Sequence, residues 1–322
     1  MNLNHPANNV ERKGDYLEGK NVWVGVTGSV SCVETVGIIR ELLRYGARVT
    51  VVANRAALEL VGEKSLEFAC GKPIIKEITG QVEHVIAGHE ADLLMITPCC
   101  ATSLGKMVNG IGDNQPMLVA LTCNGATTPT IIAPAMDQNM LVSDILLKNI
   151  RSVKKFANVM EPGMIEGKAK LPSKERLVAE ACKMAGPKSL DRKKVLIMGG
   201  GSSEPIDDVR VVSNRSSGRM AISLAESAFA MGADVDLWLG NASYEYGNWI
   251  KTTRFEALSK LRSLVKGMKR YDAVVVPAAL SDFIPEQAKG KLDSAKPITL
   301  KMKKAPKIIN GIRKKHKRSE EH

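Results

Sequence analysis

The stretch EPIDDVRVVSNRSSGRMA, residues 204–221, contains an unusual concentration of polar side chains. Three carboxylates come first, and three arginines and Asn214 then surround a turn at residues 216–218. Arginine side chains, together with the free N–H groups at the start of a helix, bind carboxylates and phosphates. The alternative is a hydrophilic loop capped by Ser216 or Ser217, but such a loop does not need three arginines beside a triple glycine. The stretch therefore favours an anion site.

A second set of reactive side chains is spread over the first half of the chain. It comprises His84, Cys99, Cys100 and Asp137. Each also has an ordinary structural explanation, namely a surface histidine, small core residues and a helix N-cap. None of these residues identifies a reaction by itself.

Two glycine-containing turns follow apolar, strand-like runs. In GVTGSVSC, residues 25–32, Gly28 and Ser29 stand between a strand pattern and a helix pattern, and a triple glycine at 199–201 follows KVLIM. Glycines let backbone N–H groups approach a phosphate, and the dipole of a following helix adds attraction. The first turn lacks the full GxGxxG pattern, so a phosphate site and a merely tight turn are equal alternatives there.

These residues need a scaffold, and the apolar pattern predicts an α/β fold. Nearly continuous apolar runs alternate with helical periods, which is typical of mostly parallel sheets with helices on both faces. The predicted organisation is a tail over 1–19, a domain over 20–185, a linker over 186–193 and a domain over 194–322. The predicted strands are 21–26, 48–53, 91–97, 130–135, 194–198, 234–239, 248–253, 272–278 and 298–303. The predicted helices follow the first turn to about residue 45 and then cover 56–62, 99–110, 138–151, 173–185, 217–231, 255–268 and 306–315.

Five motifs in the first half resemble the flavin-dependent cysteine decarboxylase family, which includes phosphopantothenoylcysteine decarboxylase. They are Gly25–Ser29, His84, Pro98–Ser103, Lys106–Asp113 and Pro134–Met140, and their order and spacing make the resemblance specific. The resemblance implies a flavodoxin-like domain in which FMN oxidises the substrate thiol, CO₂ leaves and the electrons return. It implies that His84 is the acid–base group and that Asp137 lies at the substrate carboxylate. The implied FMN-binding residues are Gly28, Ser29, Asn54, Pro98, Cys99, Cys100, Ala101, Ser103 and Ala133.

Two features depart from this family pattern. Asp137 replaces an asparagine that holds the substrate carboxylate, and an ionised aspartate would repel that group unless it were protonated, paired or displaced. The flap at 161–175 lacks the cysteine that protonates the product in many members, and its EGKAK sequence resembles the archaeal branch, with Lys168 as a candidate substitute donor. Both departures concern decarboxylation rather than flavin binding.

The second half resembles phosphopantothenate–cysteine ligase along residues 194–310. The shared motifs are EPID, NRSSGRM, AALSDFIP, KLDS and APKII. The resemblance implies a Rossmann-like domain in which CTP, with Mg²⁺, activates 4′-phosphopantothenate as an acyl-cytidylate that the cysteine amine attacks. Asn214 would position the acyl phosphate, Lys291 would stabilise the triphosphate, and Arg210 would lie at a dimer contact near the substrate. The implied substrate and CTP residues are Gly200, Arg210, Asn214, Ala279, Asp282, Lys291, Pro306, Lys307 and Ile308.

Together the halves resemble the bifunctional CoaBC (Dfp) family of coenzyme A synthesis over nearly all of residues 20–310. The family pattern continues past APKII with a strand and further CTP-binding lysines, so we expect an incomplete ligase domain here. The alternatives are a decarboxylase with a non-catalytic ligase half, and a non-catalytic flavoprotein or regulatory subunit. The resemblance also implies a homo-oligomer, either a dodecamer or an assembly of dimers.

Composition excludes several other classes of protein. Hydrophobic residues make up 44% and charged residues 25%, as in ordinary globular domains. The chain has no apolar run of membrane-spanning length, no signal-peptide pattern and no CxxC pair among its six cysteines, so we expect a cytoplasmic protein without a membrane partner. Of the net charge of +12, +7 lies in residues 301–322, which argues against nucleic-acid binding and leaves a modest charge suited to small anions.

Overall fold

A computed structural model describes residues 5–165, 168–247, 249–293, 295 and 297–315 of the chain. The chain divides into two compact units, Met1–Pro187 and Lys188–His322, called unit 1 and unit 2 below. The boundary falls inside the linker predicted at 186–193. Residues 5–19, predicted as a tail, pack onto unit 1, since Leu17 is fully buried and its N–H donates to the Tyr45 carbonyl at 2.9 Å.

Unit 1 is built on a five-stranded sheet in the order β2-β1-β3-β4-β5. All four pairings are parallel. This is the flavodoxin-like order, in which the direction of winding reverses between β1 and β3 and leaves a crevice at the carboxyl ends of those strands. The strands are β1 (Asn21–Val26), β2 (Arg48–Ala53), β3 (Leu93–Cys99), β4 (Thr130–Pro134) and β5 (Asn158–Val159).

The described helices of unit 1 connect these strands. They are α1 (Thr35–Arg44), α2 (Arg55–Val61), α3 (Glu63–Cys70), α4 (Glu83–Glu90), α5 (Ala101–Val108), α6 (Gln115–Gly125), α7 (Gln138–Leu141), α8 (Asp144–Val153) and α9 (Lys174–Ala185). Two 3₁₀ turns lie at Pro6–Asn9 and Val30–Glu34, and an antiparallel pair is formed by β6 (Gly163–Ile165) and β7 (Lys168–Lys170).

Helices cover both faces of this sheet. Leu94 of β3 packs in a core cluster with Leu104 of α5 and Met117 of α6. Leu93 and Met95, at the alternate positions of the same strand, are also fully buried. Because side chains alternate between the faces of a strand, both faces of β3 are in the core, which explains its continuous apolar sequence.

Unit 2 contains a four-stranded parallel sheet in the order β12-β11-β8-β13. The winding reverses at β8, so the crevice of this sheet lies between the carboxyl ends of β8 and β13. The strands of the unit are β8 (Lys194–Gly199), β9 (Ser203–Pro205), β10 (Val211–Ser213), β11 (Asp234–Leu239), β12 (Lys251–Arg254), β13 (Ala273–Val275), β14 (Phe283–Pro285) and β15 (Met302–Lys304). The helices are α10 (Arg219–Ala230), α11 (Leu258–Lys266) and α12 (Ile308–Lys315).

The sheet of unit 2 is also covered on both faces. Ile197 of β8 packs in a core cluster with Ala225 of α10. The neighbouring Leu196 packs in a separate cluster with Leu261 of α11 and Ile312 of α12. The predicted α/β class, with two mostly parallel sheets between helices, is therefore confirmed.

Several predicted elements were wrong in detail. The helix predicted over 138–151 is two helices, because Ser143 caps α8 by accepting the Leu146 N–H at 3.4 Å. The strand predicted over 298–303 is shorter, and it pairs antiparallel with β14 rather than joining the parallel sheet. The turn after β1 leads into a 3₁₀ turn, and α1 begins only at Thr35. Within the described ranges no helix has the length and apolar character needed to cross a membrane.

Candidate functional site

The residues predicted to bind FMN collect at one edge of unit 1, where the parallel strands end. Gly28 and Ser29 follow β1, Asn54 follows β2, and Ala133 lies buried near the end of β4. Residues 98–103 finish β3 and begin α5. The set therefore surrounds the crevice between β1 and β3 rather than being scattered over the surface.

Thr27 joins the two strands that border this crevice. Its hydroxyl donates to the Pro98 carbonyl at 2.8 Å and accepts from the Cys100 N–H at 3.0 Å. The Thr27 side chain is fully buried, so both hydrogen bonds are shielded from water. The glycine turn after β1 and the turn after β3 are thus held at a constant separation. Sequence reasoning did not select Thr27, and its only signal was its place between a strand and Gly28.

Two contacts shape the turn that would approach a phosphate. A Cβ atom added at Gly28 would lie 2.6 Å from the Cβ of Ala56, so this turn can lie against α2 only with glycine. Asn54 caps that helix, because its Oδ1 accepts the Ala57 N–H at 3.0 Å. The predicted roles of Gly28 and Asn54 therefore share one structural basis, the close packing of the β1 turn on the start of α2.

His84 lies in the first turn of α4, and α4 ends immediately before β3 begins. Its first turn is consequently directed towards the carboxyl edge of the sheet. The Nδ1 atom of His84 and the Oγ1 atom of Thr97 are buried and have no hydrogen-bond partner among the described residues. Buried polar atoms in proteins are normally satisfied. The two unpartnered atoms, together with the Gly28 turn, fit a polar ligand such as FMN at this edge.

The two adjacent cysteines of the β3 turn differ in character. Burial raises the pKa of the Cys99 thiol, which is completely enclosed. Burial also acts to raise the pKa of Cys100, but hydrogen bonds from Ser103 and Thr27 outweigh it and the pKa is lowered overall. The Cys100 sulfur lies 3.3 Å from the Ser103 hydroxyl, so these two predicted FMN residues contact each other.

Asp137 and the flap carry the two departures from the family pattern. Asp137 is exposed, and its Oδ1 accepts the Asn139 N–H at 2.8 Å, so it caps α7. This is the structural alternative considered above. The flap contains the β6–β7 pair, and residues 166–167 and the side chain of Lys168 lie outside the described part of the chain.

In unit 2 the triple-glycine turn ties three strand ends together. The Gly201 N–H donates to the Asn241 carbonyl after β11 at 2.9 Å. The Ala279 N–H, after β13, donates to the Gly200 carbonyl at 2.9 Å. Gly200 has a φ of +77°, and a Cβ atom there would lie 2.7 Å from the Asn241 oxygen. Only glycine fits at this position, where the backbones of residues 199–201 and 240–241 pass close together beside the crevice between β8 and β13.

Four residues predicted for the nucleotide site lie next to this turn. The Asn214 amide donates to the Ala279 carbonyl at 3.3 Å. The Lys307 ammonium lies 2.6 Å from an Asp282 oxygen and lowers the pKa of that carboxyl, and the Asp282 carbonyl accepts the Ala305 N–H at 2.8 Å. Residues that are distant in sequence are therefore brought to one edge, where Asn214 and Lys307 are exposed.

Arg210 is bonded to the segment that contains Lys291, a link that the sequence did not reveal. Arg210 is not free, since its Nη1 atom lies 2.8 Å from an Asp207 oxygen and 3.1 Å from the Leu292 carbonyl. Lys291, the residue before Leu292, is exposed. Asp207 was not selected from the sequence, although its spacing of three residues from Arg210 was a possible signal.

Comparison with known proteins finds a matching family model for each half of the chain. The "Flavoprotein" family model matches residues 10–186, and the "DNA/pantothenate metabolism flavoprotein C-terminal domain" model matches residues 190–321. The chain is 39% identical over 310 residues to the coenzyme A biosynthesis bifunctional protein CoaBC of Thermococcus kodakarensis, a match that covers 94% of this chain and 76% of that protein. The chain belongs to the CoaBC family.

Further relatives of the CoaBC family are similar over the same extent. The Methanocaldococcus jannaschii protein is 34% identical over 309 residues, which covers 95% of this chain and 76% of that protein.

Among solved structures, the FMN-dependent cysteine decarboxylase SpaF is 25% identical with a TM-score of 0.45, covering 51% of this chain and 95% of its own. A mutant PPC decarboxylase complexed with pantothenoylaminoethenethiol is 20% identical with a TM-score of 0.43, covering 50% of this chain and 96% of its own.

Proposed function

We propose that this chain catalyses two consecutive steps of coenzyme A synthesis. In unit 2, 4′-phosphopantothenate and cysteine are joined at the expense of CTP. In unit 1, the product 4′-phosphopantothenoylcysteine is decarboxylated to 4′-phosphopantetheine with FMN as cofactor. The observation that carries this proposal is the similarity to CoaBC proteins, which extends over both units. It is supported by a glycine turn beside the crevice of each sheet.

For the decarboxylation, FMN supplies a two-electron oxidation of the substrate thiol and the later return of those electrons. The backbone at Gly28 and Ser29 would bind its phosphate, and Asn54 with the turn at 98–103 would hold the ring system. The His84 imidazole would exchange a proton with the substrate, which is supported by an Nδ1 atom that lacks a partner among the described residues. Asp137 is exposed at this edge and would face the substrate carboxylate only after re-pairing or protonation.

For the ligation, the substrate carboxylate attacks the α-phosphate of CTP, and pyrophosphate leaves. The cysteine amine then attacks the acyl carbon, and CMP leaves. Lys291 and Lys307 would neutralise the charge of the phosphates, with Mg²⁺ entering as the CTP complex. Asn214, held by the Ala279 carbonyl, would orient the acyl phosphate, and Gly200, Asp282, Pro306 and Ile308 would line the nucleotide site.

We also propose that the protein is cytoplasmic and forms a homo-oligomer. A cytoplasmic location is supported by six free cysteines. A homo-oligomer, dodecameric or built from dimers, is supported by the apolar side chains Met140, Val142 and Ile145, which are 45%, 55% and 72% exposed around α7 and the start of α8. Neighbouring exposed apolar side chains of this kind mark interaction surfaces.

The test is to measure the half-reactions separately on the purified chain. Pyrophosphate release with CTP, Mg²⁺ and 4′-phosphopantothenate reports ligation, and CO₂ release from synthetic 4′-phosphopantothenoylcysteine reports decarboxylation. Both are expected. CO₂ release alone would reduce the function to decarboxylation, and FMN binding with neither product would indicate a non-catalytic flavoprotein. His84→Asn should slow only CO₂ release and Lys291→Gln should raise only the KM for CTP in pyrophosphate release, which makes each variant the control for the other.

A further inference from the structure

Asp207 is the most completely bonded carboxylate described at the unit 2 edge. Its side chain is fully buried. One oxygen accepts the N–H groups of Val209 and Arg210 at 2.8 and 2.6 Å. The other accepts the Arg210 Nη1 at 2.8 Å and the Leu292 N–H at 3.0 Å. The turn that contains Asp207 is thus bonded to a segment 85 positions away in the sequence.

Leu292 is held by both of its backbone groups. Asp207 accepts its N–H, and Arg210 donates to its carbonyl at 3.1 Å. The start of the same segment is held too, since the Ala288 N–H donates to the Ile206 carbonyl at 2.9 Å. One short turn, residues 206–210, therefore fixes Ala288 and Leu292 and leaves three residues between them.

Those three residues are Lys289, Gly290 and Lys291, called the lysine loop below. Gly290 has a φ of +72°, and no atom lies within 4 Å of the position a Cβ would take, so the loop projects into open space. Both lysines are exposed, and neither makes an ion pair with any residue that the structure describes. A loop with fixed ends and two free ammonium groups is suited to binding a multiply charged anion.

We propose that Asp207, acting with Arg210, is a positioning residue that presents Lys289 and Lys291 together to the phosphates of CTP. This inference rests on the ligation step proposed above. It assigns Arg210 a role inside its own unit, in addition to the dimer contact implied by the family resemblance. It also adds Lys289 to the triphosphate site, for which the sequence motif had pointed only to Lys291.

The four hydrogen bonds to Asp207 require an ionised carboxylate. All four groups facing Asp207 are donors, so a neutral amide in its place would turn an N–H₂ towards at least one of them and lose that bond. Hydrogen bonds from Leu292, Val209 and Arg210, together with the Arg210 charge, lower the pKa of Asp207 to about 2. Asp207 is therefore ionised at neutral pH, where the assay below is carried out.

The experiment compares Asp207→Asn with Asp208→Asn in steady-state pyrophosphate release. Asp208 is the exposed neighbour, and its substitution makes the same change in net charge. Asp207→Asn should raise the KM for CTP about tenfold, the equivalent of one charge-assisted hydrogen bond, with the KM for cysteine unchanged. Asp208→Asn should leave both values as in the wild type. Hydrogen exchange should show that the Leu292 amide loses protection in the Asp207 variant alone.

A double-mutant cycle separates positioning from general damage. If Asp207 acts through the lysine loop, adding Asp207→Asn to a Lys289→Gln/Lys291→Gln variant should change the KM for CTP by less than about twofold. A full tenfold effect in that background, or a fall in kcat with the KM for CTP unchanged, would overturn the inference while leaving ligation itself established. A wild-type protein that releases no pyrophosphate would instead refute the ligation proposal, and the inference with it.

Discussion

Substitution of Gly200 by alanine is the sharpest structural perturbation of the proposed nucleotide site. Gly200 lies in the turn between β8 and the Gly201–Asn241 bridge, with a φ of +77°. A Cβ atom there would meet the Asn241 oxygen at 2.7 Å and the backbone carbon and nitrogen of Gly240 at 2.9 and 3.0 Å. Because all three obstacles are backbone atoms, no side-chain rotation can relieve the contact.

The cost has two parts that can be estimated separately. A non-glycine residue in the left-handed region costs about 1–2 kcal/mol. Forcing an extra carbon atom between two closely packed backbone segments adds about 1–3 kcal/mol. The expected loss is therefore about 2–5 kcal/mol in the free energy of unfolding of unit 2, out of the roughly 5–15 kcal/mol typical of a folded protein. Gly290→Ala is the matched control, because its φ of +72° carries the first cost while no atom within 4 Å imposes the second.

Urea unfolding followed by tryptophan fluorescence measures this difference. In a Trp23→Phe background the remaining tryptophans, Trp238 and Trp249, both lie in unit 2. Gly200→Ala should unfold at lower urea than Gly290→Ala, and FMN absorbance should be retained because unit 1 is a separate compact unit. If Gly200→Ala destabilises unit 2 no more than Gly290→Ala does, the backbone crossing is not the rigid contact described, and the steric reasoning fails.

Three further substitutions test other parts of the account. His84→Asn should retain bound FMN, measured by absorbance, while the rate of CO₂ release falls by about 10²–10⁴-fold; an unchanged rate would contradict its acid–base role. Burial raises the pKa of Glu180, so the native state keeps this proton up to a higher pH than the unfolded state does. The native state therefore loses stability as pH rises through that pKa. Glu180→Gln should therefore raise the Tm of unit 1 at neutral pH and lose this advantage in acid, and a gain independent of pH would disprove the assignment. Leu261→Ala, at a fully buried position, should cost unit 2 about 2–5 kcal/mol in a urea titration, whereas Leu300→Ala, at a 40% exposed position, should cost far less.

Much of the fold could be predicted because the central strands are buried on both faces. The central strands β1, β4 and β8 come from short, mostly apolar runs, and their predicted bounds agree with the structure to within a residue. The bounds of β2 and β11 agree equally well, since each of these strands ends in three apolar residues. Two of the differences have separate physical causes. The sequence of α6, QPMLVALTCNG, is apolar around most of its circumference, so it shows no helical period. The pairing of β15 could not be predicted, since alternation along ITLKMK does not indicate which strand it joins.

Residues of the candidate sites could be selected from the sequence where they form a contiguous motif, and not where they are linked by distant hydrogen bonds. The glycine turns and the short motifs are contiguous, and the structure places them at the carboxyl edges of the two sheets. Thr27, which bonds to residues 71 and 73 positions away, and Asp207, which bonds to Leu292, have no such signature. Their importance comes from which strand ends and loops the fold brings together.

The central claim is that one chain carries a CTP-dependent ligation site and an FMN-dependent decarboxylation site. A single incubation tests both, using 4′-phosphopantothenate, CTP, Mg²⁺ and cysteine labelled in its carboxyl carbon. Labelled CO₂ is expected only when CTP is present, together with 4′-phosphopantetheine. Absence of labelled CO₂ from a protein that has been supplied with FMN and all four reactants would contradict it.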